Sequence, residues 1–386
     1  MQVHLWRVPE LIVLWPALYI QWTLARWLLA WGPISRSARA RYTVRAALAV
    51  AILWLLFGFI FSMSHAARLL PYSWWLLWIR GAALVWALST AGMFLVGLVW
   101  RSLPRFDPGR RAVLRAVGTA ALASPVAAVG FAILVERTRF RLREIDLRIP
   151  GLPKDLENLR LVQISDIHLS PFLSERDLER AVAMANETRA HVALVTGDLV
   201  TTYSDPLESC LRALARLRAD AGVLGCLGNH EIFAQCEDDA ERLGARRGIR
   251  FLRGRSESLR FGEAWINFAG VDYQPIRSPY LIGAARLRRP GQVNVLLSHN
   301  PDVFPVAARQ RWDLTISGHT HGGQVTVEFL HQYLNVARFF TPFVYGSYQL
   351  GPSSLYVTRG IGTVGIPLRF GAPPEIAMIR LCAISS

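Results

Sequence analysis

The chain has 386 residues, a formal net charge of +15 and 52% hydrophobic residues, with a mean hydropathy of +0.27. That balance is too apolar for an ordinary soluble enzyme, and the cysteines (Cys210, Cys226, Cys236 and Cys382) form no CxxC pair, which argues against a zinc ribbon or a thioredoxin-type motif. A basic chain can attract nucleic acid or an anionic membrane surface; here the arginines crowd beside apolar stretches, so a lipid bilayer is the expected partner and nucleic acid is not.

Eleven of the 13 tryptophans lie at or before Trp100. The chain therefore divides into a membrane domain, expected over 1–140, and a globular domain, expected over 144–386. Crossing the hydrocarbon takes about 20 mainly apolar residues. Residues 46–61, 81–100 and 112–135 qualify, the first by extending through Thr43 and Ser62. Residues 11–31 contain Pro16, Gln21 and Arg26 beside Trp15, Trp22, Trp27 and Trp31, so this segment either spans or lies along the interface as an amphipathic helix. Three or four transmembrane helices result. A cleavable signal peptide is not expected, because further apolar segments follow. Ser89, Thr90 and Thr119 read as groups that satisfy backbone or neighbouring helices rather than a transport path.

Loop charge sets the orientation. Arg36, Arg39, Arg41 and Arg45 follow the first segment, and Arg101, Arg105, Arg110 and Arg111 precede the last, whereas the loop between holds only Arg68 and Arg80. The richer loops belong in the cytoplasm, which puts the following domain on the outer face of a bacterial cell membrane. Arg137, Arg139, Arg141, Arg143 and Arg148 in the exit segment pull the other way.

From residue 144 the texture changes to alternating strand and helix signals. Strands are predicted at 159–165, 191–196, 223–227, 265–271, 293–297, 314–316 and 376–381. Helices are predicted at 174–189, with Ser174 as N-cap and Asp177 three residues on, and at 206–219. This is an α/β layered pattern with largely parallel pairing at its start. Five short clusters follow five of these strands in order: Asp166-Ile167-His168, Gly197-Asp198, Gly228-Asn229-His230-Glu231, Ser298-His299-Asn300 and Gly318-His319-Thr320-His321. Ligand sites in open α/β sheets gather at the carboxyl ends of strands, so the clusters are expected to share one rim. Residues two apart in an extended segment point the same way, which would aim Asp166 with His168, and His319 with His321, at one metal. Mixed carboxylate, amide and imidazole donors suit Mn, Fe or Zn. Two carboxylates against two divalent cations leave such a site net positive, which favours a phosphate anion and an activated bridging water.

The pattern resembles the calcineurin-like metallophosphoesterase superfamily, whose blocks are D-x-H, G-D, G-N-H-[E/D], a lone H and G-H-x-H. The stretches Tyr356-Val357-Thr358-Arg359-Gly360-Ile361-Gly362 and Pro373-Pro374-Glu375-Ile376 look like a membrane-associated or exported bacterial subgroup. The resemblance implies two packed β-sheets flanked by helices. It implies one divalent metal held by Asp166, His168, Asp198 and His321, and a second held by Asp198, Asn229, His299 and His319. His230 would face the substrate as the catalytic residue, with Glu231 behind it orienting the ring.

Single matches to these blocks are common by chance; all five, in order and at strand ends, are not. Outside them, His191 reads as structural, His331 as packing or surface, and His4 and His65 as interfacial. Asp205, Tyr203, Asp272 and Asn300 read as loop residues or neighbours of the site, and Arg359 as a salt-bridge partner or a phosphate contact. The leading expectation is a membrane-anchored hydrolase of phosphomonoesters or diesters, acting on a lipid or cell-envelope component. The alternatives are a cytoplasm-facing hydrolase of a lipid-linked pyrophosphate and a non-catalytic phosphate-binding membrane sensor.

Overall fold

The computed structural model describes residues 8–63, 74–102, 111–203, 205–275, 279–326 and 335–384. Two compact units result: one comprises the helices up to Ile133, and the other runs over Leu134–Val364 and Leu368–Ser386.

The first unit contains helices Val8–Ala30, Ala38–Met63, Trp74–Ser102 and Arg111–Leu134. Leu14, Ala17, Leu55, Phe59, Ala83 and Ala87 form its buried cluster. Small residues permit close approach: a Cβ at Gly58 would lie 2.6 Å from that of Ala83. Gln21, which weighs against 11–31 as a span, is satisfied internally. Its amide donates to Thr90 Oγ1 at 2.7 Å and accepts from the Trp86 indole at 3.2 Å. Apolar residues run all round this helix, so it lacks the segregated polar face of an interfacial helix. Ser89 and Thr90 donate back to Val85 and Trp86 carbonyls at 2.9 Å, as expected of polar groups in an apolar bundle. The side chain of Thr119 lies outside the described residues. Two segments, Ala38–Phe59 and Trp78–Ser102, are long and apolar enough to cross a membrane, with hydropathies of 1.8 and 2.0. Only 17% and 28% of these windows is buried within the chain.

The second unit is α/β, with two six-stranded sheets. One has the order β1 (Arg141–Ile149), β12 (Glu375–Ala383), β2 (Arg160–Ile164), β3 (Val192–Thr196), β4 (Val223–Cys226) and β5 (Ile249–Phe251). The other has the order β10 (Gly346–Leu350), β11 (Ser353–Val357), β9 (Leu314–Ser317), β8 (Val293–Leu297), β7 (Ala264–Gly270) and β6 (Arg255–Phe261). Strands β2 to β5 are parallel, as are β7, β8, β9 and β11. The continuous apolar runs of β2 and β3 reflect burial on both faces. Leu161, Leu194 and Leu224 meet Phe268, Val295 and Ile316 of the other sheet. Val162, Ile164, Ala193 and Val195 face the outer helices instead.

Helix Glu175–Glu187 starts as predicted. Ser174 accepts from the Asp177 backbone N–H, and Asp177 reaches back to Ser174, a reciprocal cap. The helix predicted over 206–219 stops at Leu214, and beyond it the Asn186 amide donates to the Arg216 carbonyl and accepts the Arg218 N–H. Arg141, Arg143 and Arg148 of the exit segment belong to β1, whose exposed face is charged in the manner of an edge strand. Its Asp146 lies opposite Arg380 of β12 and binds it through two 2.8 Å hydrogen bonds.

Candidate metal centre

The five clusters sit where five strands end: β2, β3 and β4 of one sheet, and β8 and β9 of the other. Their side chains converge. Asp166, His168, Asp198 and His321 each place one ligand-type atom within 4.8 Å of the others, and so do Asp198, His299 and His319. Asp198 belongs to both groups. Its Oδ2 is 3.4 Å from His168 Nε2 and 3.0 Å from His299 Nε2, while its Oδ1 accepts the His230 backbone N–H at 2.9 Å. His321 Nε2 lies 3.1 Å from His168 Nε2 and 3.5 Å from Asp166 Oδ1. His319 and His321 therefore fall in different groups, not at one point.

The backbone explains why. Extended geometry was the expectation for Asp166, His168, His319 and His321, but these have φ of 51°, 47°, 77° and 52°, and Asp198 has 55°. The left-handed region costs a non-glycine residue of order 1–3 kcal/mol, and such strain persists where surrounding structure fixes the chain. Each strand stops short of its ligand, and the turn that follows aims the side chain. Gly228 and Gly318 serve a different need, close approach. A Cβ at Gly228 would lie 2.2 Å from Asp198 Oδ1, and one at Gly318 would lie 2.3 Å from Asp166 Oδ2.

The donor set fits divalent cations. Asp166 Oδ2 and Asn229 Oδ1 are buried without a hydrogen-bond partner among the described residues. Leaving such atoms unpaired costs about 1–3 kcal/mol each, more for a charge, and a cation is the partner that carboxylate and amide oxygens would share with imidazoles. His299 Nδ1 can only donate to the Thr196 carbonyl, 2.7 Å away, which leaves Nε2 as the lone-pair atom when the ring is neutral. Nε2 approaches Asp198 without forming an aligned hydrogen bond, as a ligand atom would.

Charge is strongly redistributed among these side chains. Burial raises the Asp166 carboxyl. Burial would also raise Asp198, but the charges of His299 and His230 and the close approach of the His168 and His299 imidazoles outweigh it and hold the carboxylate well below its usual range. Burial would lower His299, but Asp198 pushes it up to about 10. Burial and the His299 charge bring His319 down to about 3. Burial likewise lowers His168 and His321.

Residues 159–323 match the calcineurin-like phosphoesterase family. That stretch is a calcineurin-like phosphoesterase domain. A zebrafish (Danio rerio) transmembrane protein with metallophosphoesterase domain is 31% identical over 259 residues, covering 62% of this chain and 56% of that protein. The uncharacterized metallophosphoesterase YkuE of Bacillus subtilis is 28% identical, with 65% of this chain and 89% of its own length covered. The phosphodiesterase YaeI of Escherichia coli is 28% identical over 291 residues, covering 70% of this chain and 98% of YaeI. The match thus spans little more than half of the zebrafish protein.

Within this phosphoesterase domain, buried polar groups hold the ligand loops. Glu231 was expected to orient His230. Its carboxylate instead accepts the backbone N–H groups of Asp198 (3.0 Å), Leu199 (2.6 Å) and Gly228 (2.7 Å), tying two ligand loops together. The His230 ring is held by its Nδ1–H donating to the Thr201 carbonyl at 2.8 Å, and Thr201 Oγ1 also meets His168 Nδ1 at 3.2 Å. Asp205 fixes that turn by accepting the Thr201 and Thr202 N–H groups at 2.8 Å each.

Arg369 went unnoticed in the sequence. It is fully buried and donates to the carbonyls of Gly362, Ala372, Arg359 and His321. It thereby pins the last ligand loop from below, and its charge adds to the lowering of His321. The one hint in the sequence was an arginine set between Leu368 and Phe370.

The minor candidates divide. His191 is structural, accepting the Arg160 N–H at 2.9 Å. Arg359 lies 3.9 Å from Glu375 and over the Tyr345 ring. Asn300 caps the turn at Pro301 and donates to the Gln274 carbonyl, while Asp272 pairs with Arg253. His4, His65 and His331 lie outside the described residues.

Proposed function

We propose that the chain is a membrane-anchored, metal-dependent hydrolase of phosphate monoesters or diesters. The observation that carries this reading is the sharing of Asp198 between two groups of buried ligand-type side chains, beside unpaired oxygens of Asp166 and Asn229. Asp166, His168, Asp198 and His321 would hold one divalent ion, and Asp198, Asn229, His299 and His319 the other. Bound there, the ions would supply Lewis acidity toward the phosphoryl oxygens and make a water nucleophilic near neutral pH.

The protein's own groups do the rest. The rigid left-handed turns fix the ligands before substrate arrives, so little reorganisation accompanies reaction. His230 belongs to neither ligand group. With its Nδ1–H committed to Thr201, its Nε2 is the atom that can carry a proton to the departing oxygen. The non-catalytic sensor reading has no comparable use for a histidine held this way. The apolar helices Ala38–Phe59 and Trp78–Ser102 would supply the anchor. Full-length protein loaded with Mn²⁺ is expected to hydrolyse an aryl phosphodiester. No turnover with Mn²⁺, Fe²⁺ or Zn²⁺ would overturn the reading.

Metal loading should also depend on pH. A ligating imidazole must be neutral, and Asp198 pushes the buried His299 imidazole up to about 10. Loading the Asp198–His299–His319 group must expel the proton held there. Apparent affinity there is expected to rise about tenfold per pH unit between pH 7 and 9, with one proton released. Calorimetry in buffers of different ionisation enthalpy measures both, and a pH-independent affinity would contradict the assignment of His299.

A further inference from the structure

Resting on that reading, we propose that the substrate's leaving group is apolar and seats on a patch formed by Tyr203, Ile232 and Phe233. These side chains are 80%, 39% and 63% exposed. Single exposed apolar side chains are ordinary. Here Phe233 and Tyr203 sit on the two segments that His230 joins, and Ile232 lies beside Phe233 on the same short helix. The Phe233 ring stands edge-on to the His230 ring at 5.4 Å between centroids. Tyr203 lies two residues beyond Thr201, whose carbonyl receives the His230 Nδ1–H.

The turn bearing Tyr203 is anchored by the Asp205 carboxylate, and the short helix Asn229–Phe233 bears the other two. The patch is therefore set in place before binding, which lowers the entropic cost of using it. It flanks His230, the histidine proposed to protonate the departing oxygen. The side near His319 differs: there Tyr273 packs against the imidazole, and Gln274 and Asn300 bond to each other. In the reaction, water gives one proton to solvent as its oxygen bonds to phosphorus, the P–O bond to the leaving group breaks with its electron pair on the departing oxygen, that oxygen takes a proton from His230, and His230 regains one from solvent. An aryl or alkyl group on that oxygen would lie against Phe233 and Tyr203.

The test compares two diesters whose phenol leaving groups have matched acidity, methyl 4-tolyl phosphate and methyl 4-butylphenyl phosphate. It uses full-length Mn²⁺-loaded protein in lipid nanodiscs. Wild type is expected to favour the butyl ester by about tenfold in kcat/KM, the scale on which apolar pockets discriminate between added methylenes. In the Tyr203→Ser/Phe233→Ser double variant that ratio should fall to near one. Trp265→Ala, an exposed aromatic at the opposite, amino-terminal end of β7, should retain it. Turnover of both esters with a wild-type ratio near one would overturn this inference alone, as would a ratio that survives the double substitution. No turnover of either ester with Mn²⁺, Fe²⁺ or Zn²⁺ would overturn the hydrolase reading, and this inference with it.

Discussion

Replacing Asp198 by asparagine is expected to lower kcat/KM by at least about a thousandfold, the scale on which removing one member of a catalytic unit acts, while leaving the fold in place. Asparagine keeps the shape and the oxygen that receives the His230 backbone N–H at 2.9 Å. It loses the charge that both ligand groups share, so neither ion retains its full set of donors. It also removes the anion that counters His299, which is fully buried. Unchanged secondary structure by circular dichroism together with lost metal and lost turnover is the expected result. A variant that keeps both metal and activity would show that the carboxylate is not shared.

His230→Ala is expected to give a different signature. The ring lies outside both ligand groups, so metal content should match wild type. Its proposed work is proton delivery, which contributes about 10²- to 10⁴-fold. The loss in kcat should be largest for esters of weakly acidic alcohols and smallest for nitrophenyl esters, whose oxygen leaves without help. A uniform loss across leaving groups would assign His230 to positioning instead. Loss of metal would place it among the ligands.

The centre was legible in the sequence because each position demands a specific donor. Asp166, Asp198, Asn229, His299 and His319 each follow an apolar strand run, and the strands stand where those runs predict. The route by which paired ligands reach the ions was not legible. Spacing two apart suggested extended backbone, and only the positive φ values show why His319 and His321 separate.

Supporting residues were hidden for related reasons. Glu231 was visible, but a carboxylate that accepts backbone N–H groups from two distant loops has no local pattern. Arg369 looks like any other arginine in an arginine-rich chain, because its partners are carbonyls, which every residue possesses. Edge strands β1 and β6 were missed because one or both faces are solvated and charged, and β10 because its short run, Gly346–Leu350, is polar and solvated, so these runs read as loop or charge cluster. In the helical unit Gln21 read as a defect, since its partners Thr90 and Trp86 lie on another helix.

Counting the ions tests the central claim most directly. Full-length protein loaded with Mn²⁺ at pH 9 and freed of excess metal should retain two equivalents per chain by elemental analysis. Its electron paramagnetic resonance spectrum should be that of a spin-coupled pair, and Asp198→Asn should lose the coupling. A single equivalent, or two magnetically isolated ions in the wild-type protein, would contradict a centre built around one shared carboxylate.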